Sequence, residues 1–176
     1  MSFMTTNYKD VQESSFEPLP QAEYEMLISK AQEAATKNGK EKLQIDLVVR
    51  EDLDNVKGME ETNKKYHRRH VFNDIWKQNI GGNYQFDTSK FQYILDAIGV
   101  PENYEINSVD ELIELITGRA VRVFVKKQFS EYNNEDENTV APWGYKKTEF
   151  PLTKQQPSFE RDGQSNVDID TEDLPF

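Results

Sequence analysis

The chain has 176 residues, of which 36% are hydrophobic, and this composition suits one domain of ordinary size plus a polar extension. It contains no cysteine, which excludes disulfides, thiolate nucleophiles and cysteine-ligated metals and agrees with a reducing compartment. The net charge of −11 argues at first against a nucleic-acid partner. Residues 1–15 hold no signal-peptide run and no later run approaches membrane-spanning length, so we expect a cytoplasmic protein with no membrane partner.

The first half of the chain predicts three β-strands after a loose leader over residues 1–15. Residues 22–35 contain both a strand-like alternation and an alanine-rich run that favours a helix. An Asn-Gly pair follows, which is a strong hairpin signal, and residues 43–49 then alternate cleanly as a strand. Because a strand after a hairpin turn usually pairs with the strand before it, we interpret residues 22–35 as mostly strand. Residues 67–76 predict the third strand.

Two helices are predicted in the middle of the chain. Residues 79–83 contain a glycine pair and are predicted to be a loop. Apolar residues recur at helical spacing over residues 87–98, and Gly99 ends that helix. Ser108 caps the second helix, with Glu111 three residues later as in a capping box.

Two further strands are predicted after the helices, over residues 119–129 and 143–150, with a polar hairpin loop at 130–139. In the first of them, one face holds Val121, Val123, Val125 and Phe129, and the other holds Arg122, Phe124 and Lys126. The predicted fold class is therefore mainly β with inserted helices (α+β). Five short strands with helices between the third and fourth are typical of a five-stranded OB-type barrel, here over residues 16–152.

Positive charge is concentrated in two segments that contain no acidic residue. Residues 62–72 hold four lysines and arginines and both histidines of the chain, and residues 117–129 hold four more basic residues. Two such segments in an acidic chain predict a local positive face, which a groove that follows a phosphate backbone needs.

Aromatic residues are interleaved with these cations, and single-strand binding without sequence preference combines stacking rings with cations. Core packing is the alternative role of each ring, and an ordinary solvated surface is the alternative for each cation. We expect Trp76 in the core and Phe124 to be the best stacking residue. The candidate DNA-binding residues are Lys64, Lys65, Tyr66, Arg68, Arg69, Phe72, Arg119, Arg122, Phe124, Lys126, Lys127, Trp143, Tyr145, Lys146 and Lys147.

A metal site and a catalytic centre are both disfavoured. His67 and His70 lie near Asp74, but side chains three apart in a strand point to opposite faces, so we expect no metal. The chain has no nucleotide-binding, serine-hydrolase or zinc-protease motif. We expect no cofactor and no enzymatic activity, and an enzyme with an unrecognised motif is the weakest alternative.

Residues 153–176 predict a disordered linker followed by an acidic tail. Residues 160–176 carry six acids and one base, a net charge of −5, which leaves −6 for the rest of the chain. An acidic peptide with an apolar end suits a partner pocket that takes the ring while a basic residue takes the carboxylate. A solvated charged terminus is the alternative. The candidate partner-binding residues are Asp170, Glu172, Asp173, Leu174, Pro175 and Phe176.

The tail resembles the tail tip of bacterial single-stranded DNA-binding proteins, which recruits replication and repair enzymes. Within residues 16–151 the chain is similar to a family of phage-encoded proteins that includes single-stranded DNA-binding proteins. The motifs that carry this similarity are Phe16-x-Pro-Leu-Pro, Thr36-Lys-Asn-Gly, Ile94-Leu-Asp-Ala-Ile-Gly-Val, Gly118-Arg-Ala-Val and Tyr145-x-x-Thr-Glu-Phe-Pro. The resemblance implies an OB-like domain of a phage replication or recombination module in the host bacterial cytoplasm. The long insertion between barrel strands departs from the cellular proteins, so their contact residues do not transfer.

The main hypothesis is therefore a sequence-independent single-stranded DNA-binding protein that protects single strands and recruits replication, recombination or repair proteins through its tail. The alternative is an acidic protein-binding adaptor or DNA mimic that binds no nucleic acid, because the chain outside residues 160–176 still carries −6. By analogy with other single-strand binders, which often multiply their sites, we expect a homo-oligomer.

Overall fold

The computed structural model describes residues 3–6 and 17–152. Most of the predicted leader and all of the predicted linker and tail lie outside these residues, so the predictions for them stay predictions. The described part folds from antiparallel strands and a few helices.

The three predicted N-terminal strands are present, and they are β1 (Ala22–Ala35), β2 (Glu41–Val49) and β3 (His70–Trp76). β1 and β2 form the predicted hairpin, whose turn holds Gly39 at φ 82°, a conformation that side-chain-bearing residues rarely adopt. β3 pairs antiparallel with β2. It begins later than predicted because residues 67–69 complete a turn in which Arg68 has φ 64°.

A short hairpin that the sequence pattern did not predict follows β3. Its strands are β4 (Gln78–Ile80) and β5 (Asn83–Gln85), and the glycine pair expected in a loop forms the turn between them. All six strand residues are exposed. Strands without a buried face leave no apolar alternation in the sequence, which explains why they were missed.

Both predicted helices are confirmed, as α1 (Ser89–Ile98) and α2 (Val109–Ile116). α1 ends at Gly99, which has φ 84°. The Ser108 hydroxyl accepts the amide N–H of Glu111 at 3.1 Å, as the capping box predicts. The Glu111 carboxylate, however, accepts the amide N–H of Asn107 at 2.9 Å, one residue before the cap.

Three strands follow the helices, and they are β6 (Ala120–Ser130), β7 (Glu135–Thr139) and β8 (Tyr145–Lys147). The second half of the predicted loop at 130–139 is therefore strand. The predicted strand at 143–150 is shortened, because Pro142–Gly144 form a 3-10 turn and residues 148–150 leave the sheet. Phe129 is 58% exposed although it shares the valine face, since β6 pairs with β1 only as far as Val125.

The main sheet has the strand order β3-β2-β1-β6-β7, and β8 also pairs with β6. Among the described residues, β3 and β7 contact each other without a hydrogen-bonded ladder, so the sheet is not closed by strand pairing. The predicted class, mainly β with helices inserted between the third strand and residues 119–129, is confirmed. Six strands rather than five build the main sheet.

Alternating side chains on the inner face of this sheet form the core. Val121, Val123 and Val125 are fully buried, as the alternation predicts. Ile94 of α1 and Ile116 of α2, each at most 1% exposed, pack against the same cluster. The opposite face of β2, β3 and β6 is consequently the outer one, and it carries the polar and aromatic side chains considered below.

A buried polar network fastens the segment after β8 to β1 and to the end of β2. The Glu25 carboxylate, 2% exposed, accepts the Thr148 hydroxyl at 2.6 Å and the Glu149 amide N–H at 3.0 Å. The Arg50 guanidinium, 5% exposed, donates to the carbonyl of Phe150 at 2.6 Å. The Thr-Glu-Phe-Pro motif found in the sequence therefore holds the end of the described domain in place.

Asn63 joins the same network from a π-helical turn at Glu60–Lys64. Its fully buried side chain accepts the amide N–H of Glu25 at 3.0 Å and donates to the carbonyls of Glu25 at 2.7 Å and Arg50 at 3.0 Å. One side chain thus satisfies three buried backbone groups, which water cannot reach.

Candidate nucleic-acid interface

The outer face of β3 presents an exposed aromatic pair. Phe72 is 55% exposed, and its ring stacks on that of His70 with a centroid distance of 6.2 Å and an interplanar angle of 17°. Trp76 lies on the same face, half-buried, with the Lys42 ammonium 5.0 Å from its ring centroid. The expectation that Trp76 is a core residue is wrong, and Ile75 is buried in its place. β3 therefore carries flat rings toward solvent, which base stacking requires.

The first basic segment lies before β3 and carries cations whose partners are also on the surface. Lys65 approaches Glu61 at 3.9 Å, and Arg68 pairs with Glu51 at 2.5 Å. Arg69 donates to the carbonyl of Glu17. Because exposed ion pairs of this kind are weak, a phosphate can replace the present partners of these cations at a small cost in free energy.

Tyr66 and Lys64 complete this segment. Tyr66 is half-buried and meets Tyr24 edge-to-face with ring centroids 6.2 Å apart, while Lys65 Nζ lies 5.6 Å from its ring. Burial raises the pKa of Tyr24 to about 12. Because its ring contacts Tyr24, Tyr66 serves the core at least as much as the surface. Lys64, by contrast, is exposed, and no carboxylate of the described residues lies within 4.0 Å of it.

The second basic segment is neutralised by carboxylates where β6 meets β1 and β8. Arg122 pairs with Glu23 at 2.5 Å and with Glu149, and Lys146 reaches Glu23 at 2.6 Å. The hydrogen bond from Lys146, followed by the charge of Arg122, lowers the pKa of Glu23 against the opposing effect of burial. Two of the predicted phosphate-binding cations are consequently already engaged within the protein.

Phe124 lies on the outer face of β6, as the alternation predicts, but it is half-buried. Its main chain packs closely against Gly144. Any side chain at position 144 would bring its Cβ within 3.2 Å of the Phe124 backbone oxygen. Next to it, Lys126 Nζ lies 5.7 Å from the ring centroid of Trp143, which is 64% exposed. Phe124, Lys126 and Trp143 form a second aromatic and basic surface.

Arg119 and Tyr145 are buried, which removes them from the candidate contacts. Arg119 is 6% exposed and donates from Nε to the carbonyl of Leu115 at 3.1 Å, and burial lowers its pKa. Tyr145 is 5% exposed, and its hydroxyl accepts the side-chain amide of Asn73 at 2.5 Å. Burial raises the pKa of Tyr145. The pattern of charged and aromatic residues in the sequence does not show whether a residue at the end of a strand, such as Arg119 or Tyr145, faces the core or the solvent.

Lys127 and Lys147 are exposed, as an interface requires. Lys127 approaches Asp136 at 4.0 Å, whereas Lys147 has no carboxylate within 4.0 Å among residues 3–6 and 17–152. Lys42, which the charge pattern did not single out, also belongs to the outer face through Trp76 and pairs with Asp74 at 2.8 Å. The alternation of Lys42 with the buried Leu43 along β2 is the sequence signal that places Lys42 on the outer face.

The two histidines have separate partners. His67 Nδ1 lies 2.9 Å from Asp54, and His70 Nδ1 lies 2.7 Å from Asp46. Within the described part of the chain, no group of three or more histidine, aspartate or glutamate side chains is placed to hold a metal ion.

A concave site of about 710 Å³ lies between α1, α2 and their connecting loop. It is lined by apolar, aromatic and neutral polar side chains together with Asp96 and Glu102, and no lysine or arginine of the described residues lines it. A cavity with that charge does not suit a phosphate backbone, whereas the outer face of the sheet carries cations.

No helix in residues 3–6 and 17–152 combines the length and the apolar character needed to span a bilayer. The six candidate partner-binding residues of the tail all lie outside the described residues.

No curated protein matches the chain. A family model described as a protein of unknown function (DUF669) matches residues 4–158, which are most of the chain. The match includes every described residue except Phe3. The chain belongs to the DUF669 family.

Proposed function

We propose that this chain binds single-stranded DNA without sequence preference, acts in a phage replication or recombination module in the bacterial cytoplasm, and recruits replication or repair proteins through residues 168–176. It performs no catalysis and needs no cofactor. The observation that carries the DNA-binding part is the exposed stack of Phe72 on His70, with Trp76 on the same face of the sheet and with Lys42, which pairs with Asp74, beside the Trp76 ring. Rings that face solvent beside cations are the elements of single-strand binding.

The proposal extends to the architecture, which we take to be a variant of the OB-type barrel. Three observations support it: a meander of three antiparallel strands, helices between the third strand and β6, and contact between β3 and β7 at the two ends of the strand order. In such barrels the face of strands 2 and 3 binds oligonucleotides, and we assign Phe72 and Trp76 of β3 to that face.

A titration of fluorescent oligo-dT at several salt concentrations tests the binding. If four phosphates are neutralised, the slope of log affinity against log salt is about −3, from roughly 0.7 per phosphate on single strands. Phe72→Ala should weaken binding by roughly 1–3 kcal/mol with the melting temperature within a few degrees, since stacking is lost and no core contact is removed.

Phe129→Ala is the matched control, because Phe129 is also an exposed phenyl ring but stands opposite Asp136 at the far end of β6. Its affinity should equal that of the unchanged chain. A flat salt response or equal affinity for duplex DNA would contradict the proposed single-strand binding. Equal losses in the two variants would contradict the assignment of the strand to the β3 face.

A second candidate function is an acidic adaptor or DNA mimic, and the pairing of Arg122 and Lys146 with Glu23 and Glu149 favours it. In that case the acidic surface docks on a basic partner and no phosphate is bound. The same titration separates the two functions, because the adaptor leaves oligo-dT unbound at every salt concentration.

A further inference from the structure

The β4–β5 hairpin is chemically unlike the rest of this surface. Residues 78–86 contain no charged side chain, although 30% of the chain is charged. The hairpin is exposed along both strands, with Tyr84 48% and Ile80 37% exposed. Its other side chains are mostly amides, at Gln78, Asn79, Asn83 and Gln85. Exposure to solvent alone does not explain why this hairpin carries no charge in a chain that is 30% charged, so we look for a binding role.

The ring of Tyr84 is held in place at the start of β2. Its hydroxyl accepts the amide N–H of Glu41 at 2.7 Å. The Lys77 ammonium lies 5.9 Å from the Tyr84 ring centroid and 5.2 Å from that of Phe86, and pairs with Glu41 at 2.5 Å. A ring fixed before binding loses little conformational entropy when a planar ligand stacks on it.

Two exposed lysines precede Glu41, the residue that binds the Tyr84 hydroxyl. Lys37 and Lys40 lie in the exposed β1–β2 turn, and no carboxylate of the described residues is within 4.0 Å of either ammonium. The bond from the Glu41 amide to Tyr84 places the ring beside the residue that follows Lys40. In contrast to Arg122 and Lys146, these lysines can take a phosphate without giving up an existing ion pair.

We infer that the β4–β5 hairpin and the β1–β2 turn form a second contact region for the single strand, next to the Trp76 end of β3. Tyr84 stacks on a base, the hairpin amides hydrogen-bond to base edges, and Lys37 and Lys40 hold phosphates. This inference rests on the proposed function and adds the direction in which the strand continues beyond Phe72 and Trp76. Amides both donate and accept hydrogen bonds, so they fit any base, and a neutral hairpin does not repel the phosphates.

The role of the ring is tested by Tyr84→Leu against Tyr84→Phe in the oligo-dT titration. Both variants lose the hydroxyl, but phenylalanine keeps a face for stacking. We expect Tyr84→Leu to bind about 5- to 100-fold more weakly and Tyr84→Phe to bind within about twofold of the unchanged chain. Equal affinity of the two variants overturns the stacking role while leaving the proposed function intact. Failure of the unchanged chain to bind oligo-dT overturns both.

Photocrosslinking of the unchanged chain to an oligonucleotide with 5-bromodeoxyuridine avoids any effect of substitution on folding. Tryptic cleavage separates residues 70–77, which hold Phe72 and Trp76, from residues 78–90, which hold Tyr84. Crosslinks in both peptides support the continued path. Crosslinks in residues 70–77 without any in 78–90 overturn the inference and keep the proposed function.

The lysines are tested by the salt dependence of Lys37→Gln and Lys40→Gln. Each should reduce the slope of log affinity against log salt by about 0.7, the contribution of one phosphate contact. Lys57→Gln is the control, because Lys57 is an exposed lysine in the connection beyond the opposite end of β2. A slope reduced equally in all three variants reflects net charge alone and overturns the assignment.

Discussion

At the scale of single residues, burial decided which predicted contacts remain. Phe72 was proposed because cations surround it in the sequence, and the structure leaves it exposed on β3. Arg119 and Tyr145 fit the same pattern, yet both are buried, and Tyr145 lies opposite Val123 on the inner face of the sheet. Tyr84 was missed, since its position beside the β1–β2 turn depends on a hydrogen bond to Glu41 that no local pattern encodes.

Asn63 is the residue for which we expect the largest effect on stability. Asn63→Leu removes three hydrogen bonds and leaves the amide N–H of Glu25 and the carbonyl of Arg50 without their partner, while the carbonyl of Glu25 keeps its bond from the amide N–H of Arg50. The free energy of unfolding, measured by urea denaturation, should fall by about 2–4 kcal/mol. Asn55→Leu is the control, because Asn55 is exposed, and it should stay within about 0.5 kcal/mol. Similar losses in the two variants would show that the network is dispensable.

Glu23 makes stability depend on acid pH. Its pKa is lowered in the folded protein, chiefly by the hydrogen bond from Lys146, so its contribution is present above the ordinary glutamate pKa of 4.5 and is lost as the pH falls through the folded pKa. Urea denaturation from about pH 7 to about pH 3 should show a shallower acid decline for Glu23→Gln than for the unchanged chain. Parallel declines would mean that the Lys146 and Arg122 pairs contribute nothing.

At the scale of elements, the sequence predicted those parts that bury one face. β1, β2, α1 and α2 start or end within two residues of the predicted bounds, because alternation, the Asn-Gly turn and the Ser108 cap are local signals. The β4–β5 hairpin and β7 were missed because their residues are exposed or half-buried and polar. β8 is short because its predicted continuation is drawn from the sheet by contacts to Glu25 and Arg50, which are distant in sequence.

At the scale of the whole molecule, the charge is distributed so that few cations are available. The net charge is −11, and the ion pairs of Arg122 and Lys146 remove them from the free positive charge. The exposed lysines without a carboxylate within 4.0 Å among the described residues include Lys37, Lys40, Lys64 and Lys147. We therefore expect a small number of phosphate contacts and a modest salt slope for the proposed binding.

The tail is the other feature of the whole molecule that can be tested. Deletion of residues 168–176 should abolish the capture of purified replication and repair proteins without weakening oligo-dT binding. It should strengthen that binding at low salt, because the deleted acids compete with phosphate where screening is least. Phe176→Ala keeps every charge, so capture should be lost while the competition persists. Unchanged capture by Phe176→Ala would contradict the role of the ring.

The attachment of residues 148–150 to Glu25 and Arg50 also has a mechanical consequence. Any force applied to the chain beyond residue 152 reaches these hydrogen bonds before it reaches β8. It is thus transmitted to β1 and to the end of β2, which lie in the middle of the strand order, instead of peeling away a three-residue strand. A partner that holds the tail while the domain is bound elsewhere would pull on strands in the interior of the sheet, where rupture requires several partly buried hydrogen bonds to break together.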